Sequence, residues 1–343
     1  MRLNQENIFS YNALIRRLIF IMRSLFSILL LIIPLCSWAT DSLEQGIRFF
    51  NQKEYDKAQK ILVKESQKGS AYATYWLGVV QYKNGKHFEA GNTFLKAAEM
   101  GSPWAMAILA GEELNIDSPC DYLGWSCDEK WADKAFEGWK TQAENGNGKA
   151  MYAMRVKKPY WWELVPYYRS YKSEEIYSQA FEKGSNRAAM RIGSWISEEN
   201  AFEYIKAAAN KGYAPAMVSL YYQLEETNSV EAEKWLNRAL RLGYPEAAEA
   251  LYLNYSVDVK DNKKAYYYNR LSGSLGGHER NNNRFLIEGV RVDGMPLFDE
   301  NGKRVTRRII SQEEQDELDR QIEEFVKDIK INLFLDETSI ELF

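Results

Sequence analysis

The sequence predicts an all-α fold: a right-handed α/α solenoid of about seven helix pairs, closed by a small C-terminal cap of a short hairpin plus a helix. The first observation is a spaced pair of small residues. An alanine, once a serine, is followed eleven residues later by a glycine at Ala58/Gly69, Ala90/Gly101, Ala135/Gly146, Ser173/Gly184, Ala201/Gly212, Ala232/Gly243 and Ala265/Gly276. The second is the period, since successive glycines lie 32, 45, 38, 28, 31 and 33 residues apart. Units of this length bury their apolar faces only against their neighbours, which is the physics of a solenoid. The third is that the pattern stops after Gly276 and the composition changes.

Each unit reads as two antiparallel helices. The first follows the glycine and carries alanine four positions on, at Ala73, Ala105, Ala150, Ala188, Ala216 and Ala247; the array ends where Arg280 takes that place. The second carries the alanine of the pair and, one turn later, a larger residue: Leu62, Phe94, Trp139, Tyr177, Ile205 and Leu236. Positions four apart share a helix face, so small residues let backbones approach while the large one fills the adjoining groove. Glycine ends the second helix because a left-handed residue there satisfies trailing carbonyls at no steric cost. Pro103, Pro215 and Pro245 lie just beyond their glycines, pre-set for a first helical turn.

The amino terminus is organised differently. Arg16, Arg17 and Arg23 precede an apolar run from Leu25 to Leu35, followed by Ser37-Trp38-Ala39. That order of charge, apolar core and small residues is a secretory signal peptide over residues 1–39, with Met22 a workable start. An uncleaved membrane anchor is the alternative, and the apolar stretch is short for a span of about 20 residues. Pro34 and Leu35 argue against lipid attachment at Cys36. Without residues 1–39 the chain holds 40 basic and 47 acidic residues, about −7. Such a chain is a poor nucleic-acid binder, because that binding is dominated by neutralising phosphates. Export to the periplasm follows, and with it an oxidising space. There the remaining pair, Cys120 and Cys127, is expected to form a disulfide, with free thiols or a metal as the alternative. No histidine lies near the pair.

Two interruptions stretch the period. One is the cysteine connection, about residues 114–128; the other is the aromatic insertion Lys157-Lys-Pro-Tyr-Trp-Trp-Glu-Leu-Val-Pro-Tyr-Tyr-Arg169. Unit five is instead shortened, with a brief turn near Ser197. Past residue 277 a cap is expected over 278–343. Strands at about 295–298 and 303–306 flank the turn Asp299-Glu-Asn-Gly302, and Ser311-Gln-Glu-Glu314 forms a capping box. That box opens a helix to about Lys330 with Leu318, Ile322, Phe325 and Ile329 on one stripe.

Segments such as Tyr75-Trp-Leu-Gly78, Lys96-Ala-Ala-Glu-Met-Gly101, Lys206-Ala-Ala-Ala-Asn-Lys-Gly212 and Lys234-Trp-Leu-Asn-Arg-Ala239 resemble the Sel-1-like repeat family, relatives of the tetratricopeptide repeats. The resemblance covers roughly residues 43–277 and rests on packing residues, so it speaks to fold more than to function. It implies an exported adaptor, and cysteine-rich members staple the two helices of a unit, as Cys120 and Cys127 would in a single enlarged connection. Transferring the tetratricopeptide register puts Tyr72, Tyr75, Trp104, Lys149, Tyr152, Arg187 and Tyr222 on the concave face. Lys149 and Arg187 would there hold an acidic partner segment. Tyr160, Trp161, Trp162, Tyr167, Tyr168 and Tyr171 form either a plug under the enlarged connection or an exposed rim of the ring types enriched at interface hot spots.

Few parts of an enzyme are present. His87 is expected to be exposed beside a turn, and His278 next to Glu279 is too common a pair to carry a mechanism. No nucleophile has a base at a recognisable spacing, and no glycine-rich phosphate loop follows a strand. No catalytic residue, cofactor or metal is therefore assigned. The reading is a non-catalytic periplasmic scaffold that binds another protein on its concave face and aromatic insertion. An immunity protein neutralising an exported toxin and an envelope adaptor both fit. The competing class is a protein that binds or hydrolyses cell-wall material, peptidoglycan or β-lactam.

Overall fold

The computed structural model describes residues 42–114, 118–192 and 198–340; the expected signal segment and the expected turn near Ser197 lie outside them. Among the described residues the solenoid holds seven helix pairs. The first comprises α1 (residues 42–51) and α2 (Tyr55–Gln67), and the second α3 (Ala71–Lys83) and α4 (His87–Glu99). Then come α5 (Pro103–Leu109) with α7 (Lys130–Glu144), separated by the short α6 (Cys120–Leu123), and α8 (Gly148–Lys157) with α9 (Pro166–Glu182). The last three pairs are α10 (Asn186–Ile192) with α11 (Glu198–Asn210), α12 (Ala214–Leu224) with α13 (Ser229–Arg241), and α14 (Pro245–Leu253) with α15 (Asn262–Ser274). Each helix packs mainly on its neighbours in sequence.

The repeat residues do what their sizes predict. Ala58, Ala90, Ala135, Ala232 and Ala265 are wholly buried, as are the first-helix alanines from Ala73 to Ala247. The large residues one turn on, from Leu62 to Leu236, are buried beside them. All seven unit-ending glycines have positive φ, from 77° at Gly243 to 98° at Gly184. At Gly101 the geometry is complete: its N–H donates to Ala98 O and that of Ser102 to Ala97 O, both at 2.9 Å. The Ser102 hydroxyl then accepts from Ala105 N to start the next helix.

The apolar interior divides in two. One cluster runs from Phe50 to Ala153, the other from Tyr152 to Ile322. The cysteine connection belongs to the first. Cys120 and Cys127 are joined with Cα atoms 5.9 Å apart, and Trp125 folds back over Gly91, where a Cβ would meet the indole at 2.6 Å. Trp125 also packs against Phe94 and Tyr82. The cysteine connection is therefore largely a plug over the second helix pair.

The cap departs from expectation in two places. β1 (Ile287–Gly289) pairs antiparallel with β4 (Thr306–Arg308), and β2 (Arg291–Val292) with β3 (Met295–Pro296). The expected hairpin survives as the turn at Asp299–Gly302 and one bridge, Phe298 to Arg304. A second turn at Asp293-Gly294, both with positive φ, makes the tighter hairpin. The capping box of Ser311 and Glu314 opens α16 (Gln312–Val326), which packs on α15 through Ile322, Leu318 and Phe325. The helix stops four residues short of Lys330. The chain then leaves as an irregular segment that re-enters the solenoid.

Candidate functional site

Residues 331–340 run through the concave groove in irregular, half-buried conformation. Entry is at the seam between the two ends of the superhelix. Asn332 N donates to Gly243 O at 3.0 Å, and Leu333 N to Asn51 O at 3.1 Å. The Asn51 side chain then reads Leu335 in both directions: its Nδ2 donates to Leu335 O at 3.0 Å, and its Oδ1 accepts from Leu335 N at 2.6 Å. Gly243 is needed on two counts. Its φ is +77°, and a Cβ would run into the carbonyl of Lys330. Beside this seam Lys53 donates to the carbonyl of Gly276, joining first and last units directly.

Phe334 stands edge-on between Tyr213, at 6.1 Å, and Tyr244, at 5.7 Å. Its φ is +54°. A non-glycine residue in this region costs on the order of 1 kcal/mol and persists only where its surroundings hold it. Leu335 and Ile340 pack on the N-terminal cluster while Phe334 packs on the C-terminal one, so the segment bridges both cores.

The charged end follows. Glu337 accepts from the Tyr72 hydroxyl at 2.7 Å and from Lys149 Nζ at 2.8 Å, with its side chain 3% exposed. Asp336 lies 3.7 Å from the same ammonium and accepts from Thr338 N and Oγ1, tightening the turn over 337–339. Arg187 donates to Thr338 O. Burial pulls the Lys149 ammonium down, but Glu337 and Asp336 more than offset this and raise its pKa above the ordinary value. Burial, then the charges of Glu337 and Asp336, push the Tyr75 phenol well up; burial and Glu337 do the same to Tyr72. Beside Glu337 an open pocket of about 470 Å³ remains, lined by Trp104, Asn147, Lys149 and Lys183 among others.

These placements sharpen and correct the concave register. Tyr72, Lys149 and Arg187 do line the groove, and Lys149 and Arg187 meet an acidic segment, which is the chain's own. Tyr75, Trp104 and Tyr152 are buried and offer a partner little surface. Tyr75 packs among Trp76 and Phe94, Trp104 on Trp139, and Tyr152 against Tyr177. Tyr222 is exposed and stacks edge-on with Tyr221. Sequence reading missed Asn51, Phe334, Asp336 and Glu337. An apolar run ending in Asp-Glu after a helix was the available signal, with no period to say where it docks.

The aromatic insertion resolves into plug and rim. Trp162 is 7% exposed and stacks on Tyr160, with ring centroids 5.3 Å apart. Arg155, itself buried, lies over Trp162 at 4.9 Å. It also donates to Glu163 at 3.1 Å and to Ser173 at 3.2 Å. Glu163 in turn accepts from Tyr160 N at 2.8 Å, closing the first turn of the short 3₁₀ helix Trp161–Leu164. This frame turns the other rings outward. Trp161 is 73% and Tyr167 93% exposed, with Leu164, Tyr168 and Tyr171 beside them. Trp161 contacts Tyr168, which stacks on Tyr171, making one contiguous patch.

The remaining candidates separate. His87 is half-buried, stacked on Tyr82 at 4.6 Å, not exposed as expected. Glu279 is held by Arg270 at 2.9 Å and accepts from Asn282 Nδ2 at 2.7 Å. No described helix is long and apolar enough to cross a membrane.

No protein-family model matches the chain, and no curated protein matches it. Among solved structures it is similar to a protective antigen of uropathogenic Escherichia coli strains displaying an SLR fold, at 18% identity and TM-score 0.40. That match covers 80% of this chain, which spans 56% of the antigen's length. It is likewise similar to a Sel1 repeat protein from Oxalobacter formigenes, at 21% identity and TM-score 0.40, over 68% of this chain and 99% of that one. By its own repeat period, alanine–glycine register and stacked helix pairs, the chain is an all-α solenoid of helix pairs.

Proposed function

We propose that this chain is a non-catalytic recognition protein of the periplasm that binds another protein, with the aromatic rim as its free contact surface. The observation that carries the reading is the linked rings of Trp161, Tyr168 and Tyr171, with Leu164 and Tyr167 exposed on the same insertion, on a frame that Arg155, Glu163 and Trp162 fix from beneath. Large rings held rigidly lose little conformational freedom on binding and supply most of the energy in many interfaces. A preformed rim on a stiff solenoid is therefore suited to tight recognition.

The more specific form of the proposal is an immunity protein that neutralises an exported toxin. The signal-like segment, the acidic balance and an insertion peculiar to one unit support it. The test is capture from envelope extract by the mature chain, compared with a Trp161→Ser/Tyr167→Ser variant. Stoichiometric recovery of one protein, encoded beside this chain and lost with the double variant, is the expected outcome. Equal recovery by both chains would remove the rim from the account, and several weakly held envelope proteins would favour an adaptor.

A further inference from the structure

We propose that the concave groove is a receptor for an extended acidic segment of a partner protein, and that residues 332–340 occupy it as a tethered, exchangeable stand-in for that segment. The inference rests on the protein-recognition reading above and names the ligand chemistry of a second surface. The groove's own walls define that chemistry. Asn51 and Gly243 grip main chain, which suits any extended peptide. Tyr213 and Tyr244 take an aromatic side chain, and the Tyr72–Lys149 pair takes a carboxylate three residues later. Arg187 closes the far end on a carbonyl. In a chain of net negative charge this positive spot selects an acidic ligand.

Three observations mark the tail as displaceable rather than as a fixed part of the core. It forms neither helix nor strand, and each residue from Ile331 to Ile340 keeps part of its surface exposed, although the Glu337 side chain itself is enclosed. Segments of that kind open locally well before the fold as a whole. Phe334 is held in the left-handed region, a strain that a ligand presenting its ring from an ordinary backbone conformation would not carry. The fit is also incomplete, since the 470 Å³ pocket stays open between Lys149, Lys183 and Glu337. A tethered segment competes at an effective concentration on the order of millimolar, so it masks the groove against weak ligands and yields to strong ones.

The test uses the full chain and a labelled synthetic peptide with the sequence of residues 330–340. A Phe334→Ala/Glu337→Gln chain, its tail loosened, is expected to bind the peptide at least tenfold more tightly than the wild type. Adding Lys149→Glu to that chain is expected to abolish binding. On the unaltered wild type, excess peptide should speed amide exchange at Asn332, Leu333 and Leu335, a readout that needs no variant to fold. Equal binding by both chains overturns the inference. So do tail amides that exchange only with global unfolding, which would make the segment a fixed strap. Self-association of the loosened chain through its tail would make a second copy the occupant, and equally overturns it. Failure of the peptide alongside intact rim-dependent capture sinks this inference alone; the reverse result sinks only the recognition reading at the rim.

Discussion

The groove and the rim carry the same kinds of residue and have opposite fates. In the groove, tyrosines and cations face a matched segment of the same chain: Glu337 is enclosed by Tyr72 and Lys149, and Phe334 by Tyr213 and Tyr244. On the rim, Trp161 and Tyr167 are exposed, Trp161 touching only its neighbour Tyr168 among the ring contacts of the described residues. The difference lies in what stands behind each surface. The rim is built on one buried arginine, which satisfies Glu163 and Ser173 and frees the other rings to point outward. The groove is built by the whole superhelix, whose first and last units meet at Lys53 and Gly276 and leave a channel that an extended segment can enter. Composition alone does not make a binding surface available; occupancy decides.

That contrast can be broken first at Lys149. Lys149→Glu would set a third carboxylate against Glu337 and Asp336, and leaving the enclosed Glu337 without its partly exposed partner costs about 2 kcal/mol. Chemical denaturation should register a loss of that order, while rim-dependent capture stays intact. A smaller effect comes with alkaline pH. Lys149, balanced between burial and its two carboxylates, has a pKa above its ordinary 10.5, so its contribution is complete below that value and fades as pH climbs past it. Burial and, after it, neighbouring carboxylates raise Tyr72, Tyr75 and Tyr244 above 10.0, so the unfolded phenols ionise first and the folded state loses ground in the same direction. Stability and tail protection should therefore both decline above about pH 10, to be followed by exchange and circular dichroism.

The glycines offer a finer cut. Gly212 and Gly243 share a positive φ, but only Gly243 touches the tail. Gly212→Ala should cost about 1 kcal/mol from backbone strain alone. Gly243→Ala should cost more, and its excess is the value of the tail's close approach at Lys330. Smallest of all should be the stability effect of Trp161→Ser/Tyr167→Ser. Exposed substitutions of this kind usually stay within about 0.5 kcal/mol. A larger loss would mean that the rim is part of the fold, which would undercut its role as a free surface.

How much of this was legible in the sequence follows from how each part is specified. The repeats announce themselves because packing two helices per unit needs a small residue and a large one at fixed spacing, and every unit solves the same problem. Ala73 through Ala247 are interchangeable answers to it. Lys149 and Arg187 could be placed on the concave face because they share that register. Tyr75 and Trp104 could not be told apart from lining residues, since a step of one position on a helix turns a ring from the groove into the layer between helices. The tail was illegible for another reason. Leu335 meets Asn51 across 284 positions, and Glu337 meets Lys149 across 188, with no recurring pattern to connect them. Contacts of that range are set by the closure of the superhelix, which no local window contains. The same holds for the plug at Trp125, whose place over Gly91 depends on the disulfide connection folding back.

Hydrogen exchange on the unaltered full chain tests the seated tail most directly. The amides of Asn332, Leu333 and Leu335 should exchange far more slowly than in the free peptide, yet faster than those in the helix cores around Ala90 and Ala216. Exchange at the free-peptide rate would contradict the account, because the groove would then stand open and the contrast with the rim would vanish.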